Sequence, residues 1–177
     1  MSKAVMLSIR PKWVEKIASG EKSIEVRKTK PKLDTPFKCY IYCTLPKYPH
    51  EDFVATDYPR PQFYGGGKVI GEFTCDRIYK IDKDGTDFLF KAGGLSVYKQ
   101  AAEEKCALCV AMTDDELHGY LGHCQGYGWH ISDLLIYDQP KGLDEFTRLR
   151  ETKFGSEPVT LSTRPRAGAM WRRADNG

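Results

Sequence analysis

Within its first 27 residues the chain shows an apolar alternation that is cut by a proline, replaced by a helical pattern and resumed after a glycine. That order restricts it to folds that open strand, helix, strand. Val5, Leu7 and Ile9 alternate with Met6, Ser8 and Arg10, the two-residue period of a strand with one buried face. Pro11 stops the strand and suits the first position of a helix. Trp13, Val14 and Ile17 then form an apolar stripe, and Gly20 stands where a left-handed residue ends a helix. The spacing predicts a helix over Pro11–Ser19. Ile24 and Val26 alternate with Ser23, Glu25 and Arg27 in a second strand, which the Lys30-Pro31-Lys32 turn interrupts.

Beyond this opening, Phe37–Leu45 is rich in aromatic and β-branched residues and reads as a third strand. Pro46, Pro49, Pro59 and Pro61 make residues 46–64 a long loop. Gly65, Gly66 and Gly67 lead into a fourth strand over Lys68–Ile78. No Gly-Lys-Ser/Thr follows them, so they are a turn and not a phosphate loop. Leu95–Cys109 reads as a helix. Thr113 and Glu116 have capping-box spacing for a second short helix that stops at Gly122. Tyr127–Tyr137 reads as a fifth strand, Leu143–Arg150 as helical and Val159–Thr163 as strand-like. Short strands interrupted by helices, without regular βαβ alternation, predict a mixed α+β, mainly β fold: a small β-barrel with flanking helices and the Pro11–Ser19 helix over its opening.

The length of 177 residues is that of one domain, and 41% apolar residues suffice for a core. No stretch approaches the roughly 20 apolar residues of a membrane span. Met1–Arg10 lacks the h-region and cleavage site of a signal peptide, so a cytoplasmic protein is expected, with no membrane partner and six free cysteines. Charge is uneven: residues 1–50 hold eleven Lys/Arg against four Asp/Glu, and the remainder is net acidic. A polyanionic partner such as nucleic acid accounts for this, and so does a solvated basic surface.

The segment Leu7-Ser8-Ile9-Arg10-Pro11 followed by Gly20-Glu21-Lys22-Ser23-Ile24-Glu25-Val26-Arg27-Lys28 resembles the signature of the ASCH family, with Gly-x-Lys-x-x-Glu-x-Arg at its centre. Tyr40–Thr44, Lys68–Phe73 and Gly128–Leu134 are similar to the version found in phage and prophage proteins. The resemblance spans residues 5–146. It implies a PUA-like barrel in which the signature joins a helix to a strand beside a cleft, an ASCH domain over residues 1–150, and a C-terminal extension over 151–177. That extension, with Arg164-Pro165-Arg166 and Trp171-Arg172-Arg173, departs from the family pattern and reads as a last barrel strand with a basic tail.

Glu25 and Arg27 share a strand face, where they can pair or share a ligand; an ordinary surface ion pair is the plainer alternative. Lys22 has the parity of Ile24, and a twist at the strand's start is needed to turn it toward the same cleft. The expected binding surface is Ser8, Arg10, Lys12, Arg27, Lys28 and Lys30, with Trp129 as a stacking or core residue. The resemblance further implies a catalytic lysine at Lys22, as in a small ASCH amidohydrolase acting on acetylcytidine. The threonine of that enzyme is replaced here by Glu25. Its glutamate corresponds to Glu116, which the capping box explains equally well. No metal site or cofactor is expected: Cys39 and Cys43 lie about 13 Å apart along a strand, and Cys106-x-x-Cys109 has no second pair. The resulting expectation is an RNA- or nucleotide-binding domain. The alternatives are an amidohydrolase or ribonuclease acting on a modified nucleoside or RNA, and a phage-related protein-interaction factor that uses loop 46–64.

Overall fold

The alternation at the amino terminus becomes strand β1 (Ala4–Ile9), and Pro11 opens helix α1 (Pro11–Ala18). The computed structural model describes residues 4–45, 65–84, 87–99, 108–152, 155–160 and 170–173. The further elements are β2 (Ile24–Arg27), β3 (Phe37–Cys43), β4 (Val69–Cys75), β5 (Ile78–Asp84), β6 (Asp87–Ala92), β7 (Leu95–Tyr98), helix α2 (Asp114–Leu121), β8 (Gly126–His130), β9 (Ser132–Lys141), a 3-10 turn (Leu143–Glu145), β10 (Phe146–Thr152), β11 (Gly155–Thr160) and β12 (Met170–Arg173). The chain falls into two compact units, one of Met1–Glu15, Phe37–Phe73 and Asp133–Gly177, the other of Lys16–Pro36 and Thr74–Ser132.

The first unit carries a seven-stranded sheet in the order β11-β10-β12-β1-β3-β4-β9. Its centre is the parallel pair β1 and β3, in register from Ala4 opposite Lys38 to Ile9 opposite Cys43. A central parallel strand is covered on both faces. Accordingly, Met6, on the face the alternation leaves polar, is as buried as Val5 and Leu7. Ala4, Met6, Tyr40, Tyr42, Val69 and Phe146 form one core cluster, with Tyr40 and Phe146 edge to face at 5.0 Å. The C-terminal segment supplies β12, which pairs with both β1 and β10.

The second unit carries a five-stranded sheet in the order β2-β8-β5-β6-β7. Ile24, Val26, Tyr79, Ile81 and Phe90 are buried on one of its faces. Gly128 is required there: a Cβ at that position would lie 2.8 Å from Ile24 Cγ2. Helix α2 has the expected capping box, Thr113 Oγ1 accepting from the Glu116 amide and Glu116 Oε2 accepting from the Thr113 amide.

Four expectations are corrected. The barrel is not formed: among the described residues neither sheet closes on itself, and the strands are divided between two open sheets. The stretch expected as one strand over Tyr127–Tyr137 breaks at Ile131, with Asp133 at a φ of 49°, so that β8 serves one sheet and β9 the other. The helix expected over Leu95–Cys109 begins as strand β7, because Gly93 and Gly94, with φ of 53° and 82°, close a two-residue hairpin that sets Ala92 opposite Leu95; residues 100–107 lie outside the described residues. The helix expected over Leu143–Arg150 is one 3-10 turn followed by strand β10, paired on both edges with β11 and β12. Loop 46–64 also lies outside the described residues.

Among the described residues no helix is long and apolar enough to cross a membrane. The described cysteines are free: Cys39, Cys43 and Cys75 are buried, Cys109 is half-buried and Cys124 exposed. Burial pushes the Cys75 thiol up to about 12.

Candidate functional site

Helix α1 ends at Gly20, whose φ of 80° is the left-handed turn that non-glycine residues resist. The Gly20 amide donates to the Ile17 carbonyl and the Lys22 amide to the Lys16 carbonyl, so Lys22 is folded back against the helix end before β2 begins. Strand β2 is at the edge of its sheet, antiparallel to β8 with Glu25 opposite Trp129 and Arg27 opposite Tyr127. Next to its start runs the segment through Cys109. The Ser23 and Ile24 amides donate to the Cys109 carbonyl at 2.9 and 3.0 Å, and the Cys109 amide donates to Ser23 Oγ at 2.8 Å.

These two constraints bring Lys22, Glu25 and Arg27 together. Glu25 Oε1 lies 3.0 Å from Arg27 Nη2 and Glu25 Oε2 lies 3.8 Å from Lys22 Nζ. The Lys22 ammonium donates to the Val110 carbonyl. Lys22 and Glu25 are 2% and 6% exposed, far more covered than an ordinary surface pair. Burial pushes the Lys22 amine below the usual lysine range. The attraction of Glu25, and behind it Cys109, opposes this, while Arg27 and Lys16 press it further down. Arg27, at 15% side-chain exposure, is the member nearest solvent. Lys28 and Lys30 follow it on the exposed surface, Lys28 with its ammonium 5.4 Å from the centre of the Tyr120 ring.

The other expected residues are placed differently. Ser8 is half-buried on β1. Arg10 is exposed, with its carbonyl accepting from the Trp13 and Val14 amides, and Lys12 stands 4.6 Å over the Trp13 ring. All three belong to the first unit, whereas Lys22, Glu25 and Arg27 belong to the second. Trp129 is 3% exposed, on β8 opposite Glu25. Glu116 is engaged in the α2 capping box. Cys106 lies outside the described residues, and among those described no three His, Cys, Asp or Glu side chains gather to hold a metal.

Sequence reasoning missed Ser23, Cys109 and Val110. Two of these act through backbone groups, which leave no mark in residue type or spacing. It also missed the pair His130 and Asp76, with Nδ1 2.6 Å from Oδ1. A cleft of about 570 Å3 lies elsewhere in the second unit, lined by Ile81, Phe88, Lys91, Leu121, His123 and Cys124 among others. None of the expected site residues lines it. The charged cluster on β2 is separate from this concavity: Lys22 and Glu25 are buried as a pair, which is the form in which a lysine and a carboxylate are taken out of water.

No family model matches the sequence, and no curated protein matches it. Solved structures do. The crystal structure of ASCH from Zymomonas mobilis is similar with a TM-score of 0.51 and 16% identity, over 96% of this chain and 87% of that one. A Tyr-to-Phe mutant of the same protein gives a TM-score of 0.50 at 16% identity, over 96% and 89%. The fold is ASCH-like. In this fold Gly20 stands at the end of helix α1, Lys22 just before β2, and Glu25 and Arg27 on that edge strand.

Proposed function

We propose that this ASCH-like chain, of the version met in phage and prophage proteins, binds RNA or a nucleotide-like ligand at the end of β2. The observation that carries the reading is the position of Arg27: a nearly buried carboxylate holds its guanidinium at 3.0 Å, at the point where β2 emerges beside the exposed Lys28 and Lys30. A fixed guanidinium followed by exposed ammoniums suits phosphate recognition, the arginine for geometry and the lysines for charge.

Hydrolysis of an acetylated nucleoside or of RNA is the second reading. It is favoured by a lysine whose amine is pushed below its usual range beside a carboxylate, the pairing a general base and acid require. Against it, the Lys22 side chain is 1% exposed and its ammonium is committed to the Val110 carbonyl, so a substrate would have to displace that bond to meet it. A role for residues 46–64 in binding a protein remains a third proposal.

The test presents the whole chain with short RNAs and with acetylated cytidine, reading both retention and turnover. Binding predicts RNA retention that falls with salt, the slope shrinking by about 0.7 for each of Lys28→Gln and Lys30→Gln. Turnover of the nucleoside with no salt-dependent RNA retention would overturn the reading in favour of the hydrolase.

A further inference from the structure

The carbonyl that holds the Lys22 ammonium belongs to Val110, and the residue after it has an unusual backbone. Ala111 has a φ of 53°, in the left-handed region that glycine enters freely, that Asp and Asn tolerate, and that alanine enters at a cost through its Cβ. Among the described residues, Asp133 is the other non-glycine with a positive φ. There the turn has a topological reason, since it follows the break between β8 and β9. At Ala111 no sheet or helix imposes it: the residue lies between the segment beside β2 and the cap of α2.

The neighbours on both sides are fixed. The Cys109 carbonyl accepts from the Ser23 and Ile24 amides, and its amide donates to Ser23 Oγ at 2.8 Å. The Thr113 amide donates to Glu116 Oε2 at 3.0 Å. Leu108, Val110 and Met112 are buried, while Cys109 and Ala111 between them are half-buried. Three inward side chains keep the segment from swinging away as a whole. Among the described residues, the peptide group joining Val110 to Ala111 makes one hydrogen bond, the one from Lys22. Rotation of that single peptide plane turns the carbonyl away from the lysine, leaves the side chains where they are and carries Ala111 out of the left-handed region. The lysine therefore draws the carbonyl in, and the Cβ of Ala111 drives it out. A buried ammonium loses more by giving up its acceptor than an alanine gains by leaving this region, so the inward conformer prevails until another acceptor is offered.

We propose that the Val110–Ala111 peptide is a gate on Lys22: it turns outward when a ligand brings an acceptor oxygen, which takes from the ammonium the place the Val110 carbonyl holds in this structure. The proposal deepens the hydrolytic reading, to which it gives a route to a buried lysine without unfolding of the sheet or of α2. Ala111 and Val110 are positioning residues in it. Such a ligand shifts the two conformers by the difference in its affinity for them.

The test reads the Lys22 amine itself, by carbamylation of the full chain with cyanate and mass spectrometry of the peptides, with Lys80 and Lys91 as internal controls because their side chains are 45% and 47% exposed. Turning out one peptide exposes little surface, so the slow Lys22 reaction is expected to be insensitive to low urea, as local opening is. Ala111→Gly removes the cost of the inward conformer and should slow Lys22 about fivefold. Ala111→Val raises that cost and should speed it about threefold. Lys80 and Lys91 should react alike in all three proteins. Ala111→Gly relieves strain, so the test stays readable if Ala111→Val fails to fold. Equal Lys22 rates in wild type and Ala111→Gly overturn the gate. A Lys22 rate that climbs with urea as steeply as global unfolding overturns it too, because the amine is then reached only in the unfolded chain. Rates that follow residue 111 in the expected order, with no turnover of acetylated cytidine, support the gate and remove the hydrolytic reading.

Discussion

Replacing Glu25 by Gln keeps the shape of the side chain and removes the charge on which the β2 cluster depends. Glu25 is 6% exposed and lies 3.0 Å from the Arg27 guanidinium and 3.8 Å from the Lys22 ammonium. At 3.8 Å two unit charges attract by about 4 kcal/mol at an effective dielectric near 20. Removing one partner of a buried pair costs about 3–5 kcal/mol, because the other charge remains out of water. Glu25→Gln is therefore expected to lose about 3–5 kcal/mol in chemical denaturation, with an unchanged m-value. The loss should depend on pH. The folded-state pKa of Lys22 is below its reference of 10.5, so between the two values the unfolded chain binds a proton that the folded chain has released, and stability rises with pH across that window. Glu25 pulls the Lys22 pKa upward. Without it the window opens at lower pH, and the variant recovers part of its deficit in alkaline buffer. The double variant Lys22→Met/Glu25→Gln, with one fewer stranded cation, should be more stable than Glu25→Gln alone. A loss under about 1 kcal/mol, the range of an exposed pair, with no pH dependence and simple additivity in the double variant, would refute the picture of a desolvated cluster.

Four further outcomes are expected. Lys22→Met should abolish the alkaline rise in stability expected of the wild type, as followed by thermal unfolding between neutral pH and 10.5. Thr113→Ala removes the cap of α2 and should cost about 1 kcal/mol. Glu116→Gln should leave RNA retention and any turnover unchanged, since its carboxylate is occupied by the Thr113 amide, and a loss of turnover with an intact fold would restore its catalytic role. Gly128→Ala should destabilise the second unit by about 1–3 kcal/mol through overpacking against Ile24, checked by denaturation midpoint.

The opening of the fold was legible because each of its signals is local: the alternation before Pro11, the stripe from Trp13 to Ile17, and Gly20 at a positive φ give β1, α1 and β2 with ends within a residue or two of those expected. The α2 cap was legible for the same reason. Closure was not, since it depends on how strands distant in sequence are shared between sheets. Nothing local marks Ile131 as the point where one run of β residues divides between two of them. Leu95–Tyr98 was misread because a four-residue strand is too short to show its period against a following stretch of helix formers, and the deciding signal was the Gly93–Gly94 turn before it. In the site, the same-face relation of Glu25 and Arg27 followed from strand parity, whereas the Lys22 ammonium is held by the Val110 carbonyl, 88 residues away from it in the chain.

The spacing Gly-x-Lys-x-x-Glu-x-Arg thus has a physical meaning in this chain. Gly20 turns the chain out of the helix; Lys22 falls before the strand's parity takes hold and is held back by the Lys16 carbonyl; Glu25 and Arg27 then project together from β2. The lysine and the glutamate are buried and the arginine is half-buried, so the cluster is graded toward solvent from the helix end to the end of β2. A ligand approaching the end of β2 meets Arg27 before either of the others. In the proposed RNA-binding reading Lys22 acts through the position of Glu25, and Glu25 through that of Arg27, which separates positioning from contact: Lys22→Met should weaken RNA retention only as far as it loosens Arg27 and should leave the salt slope as it was, whereas Arg27→Gln should lower that slope by about 0.7. Equal loss of slope in both variants would place the lysine itself against phosphate and reverse the order of the cluster.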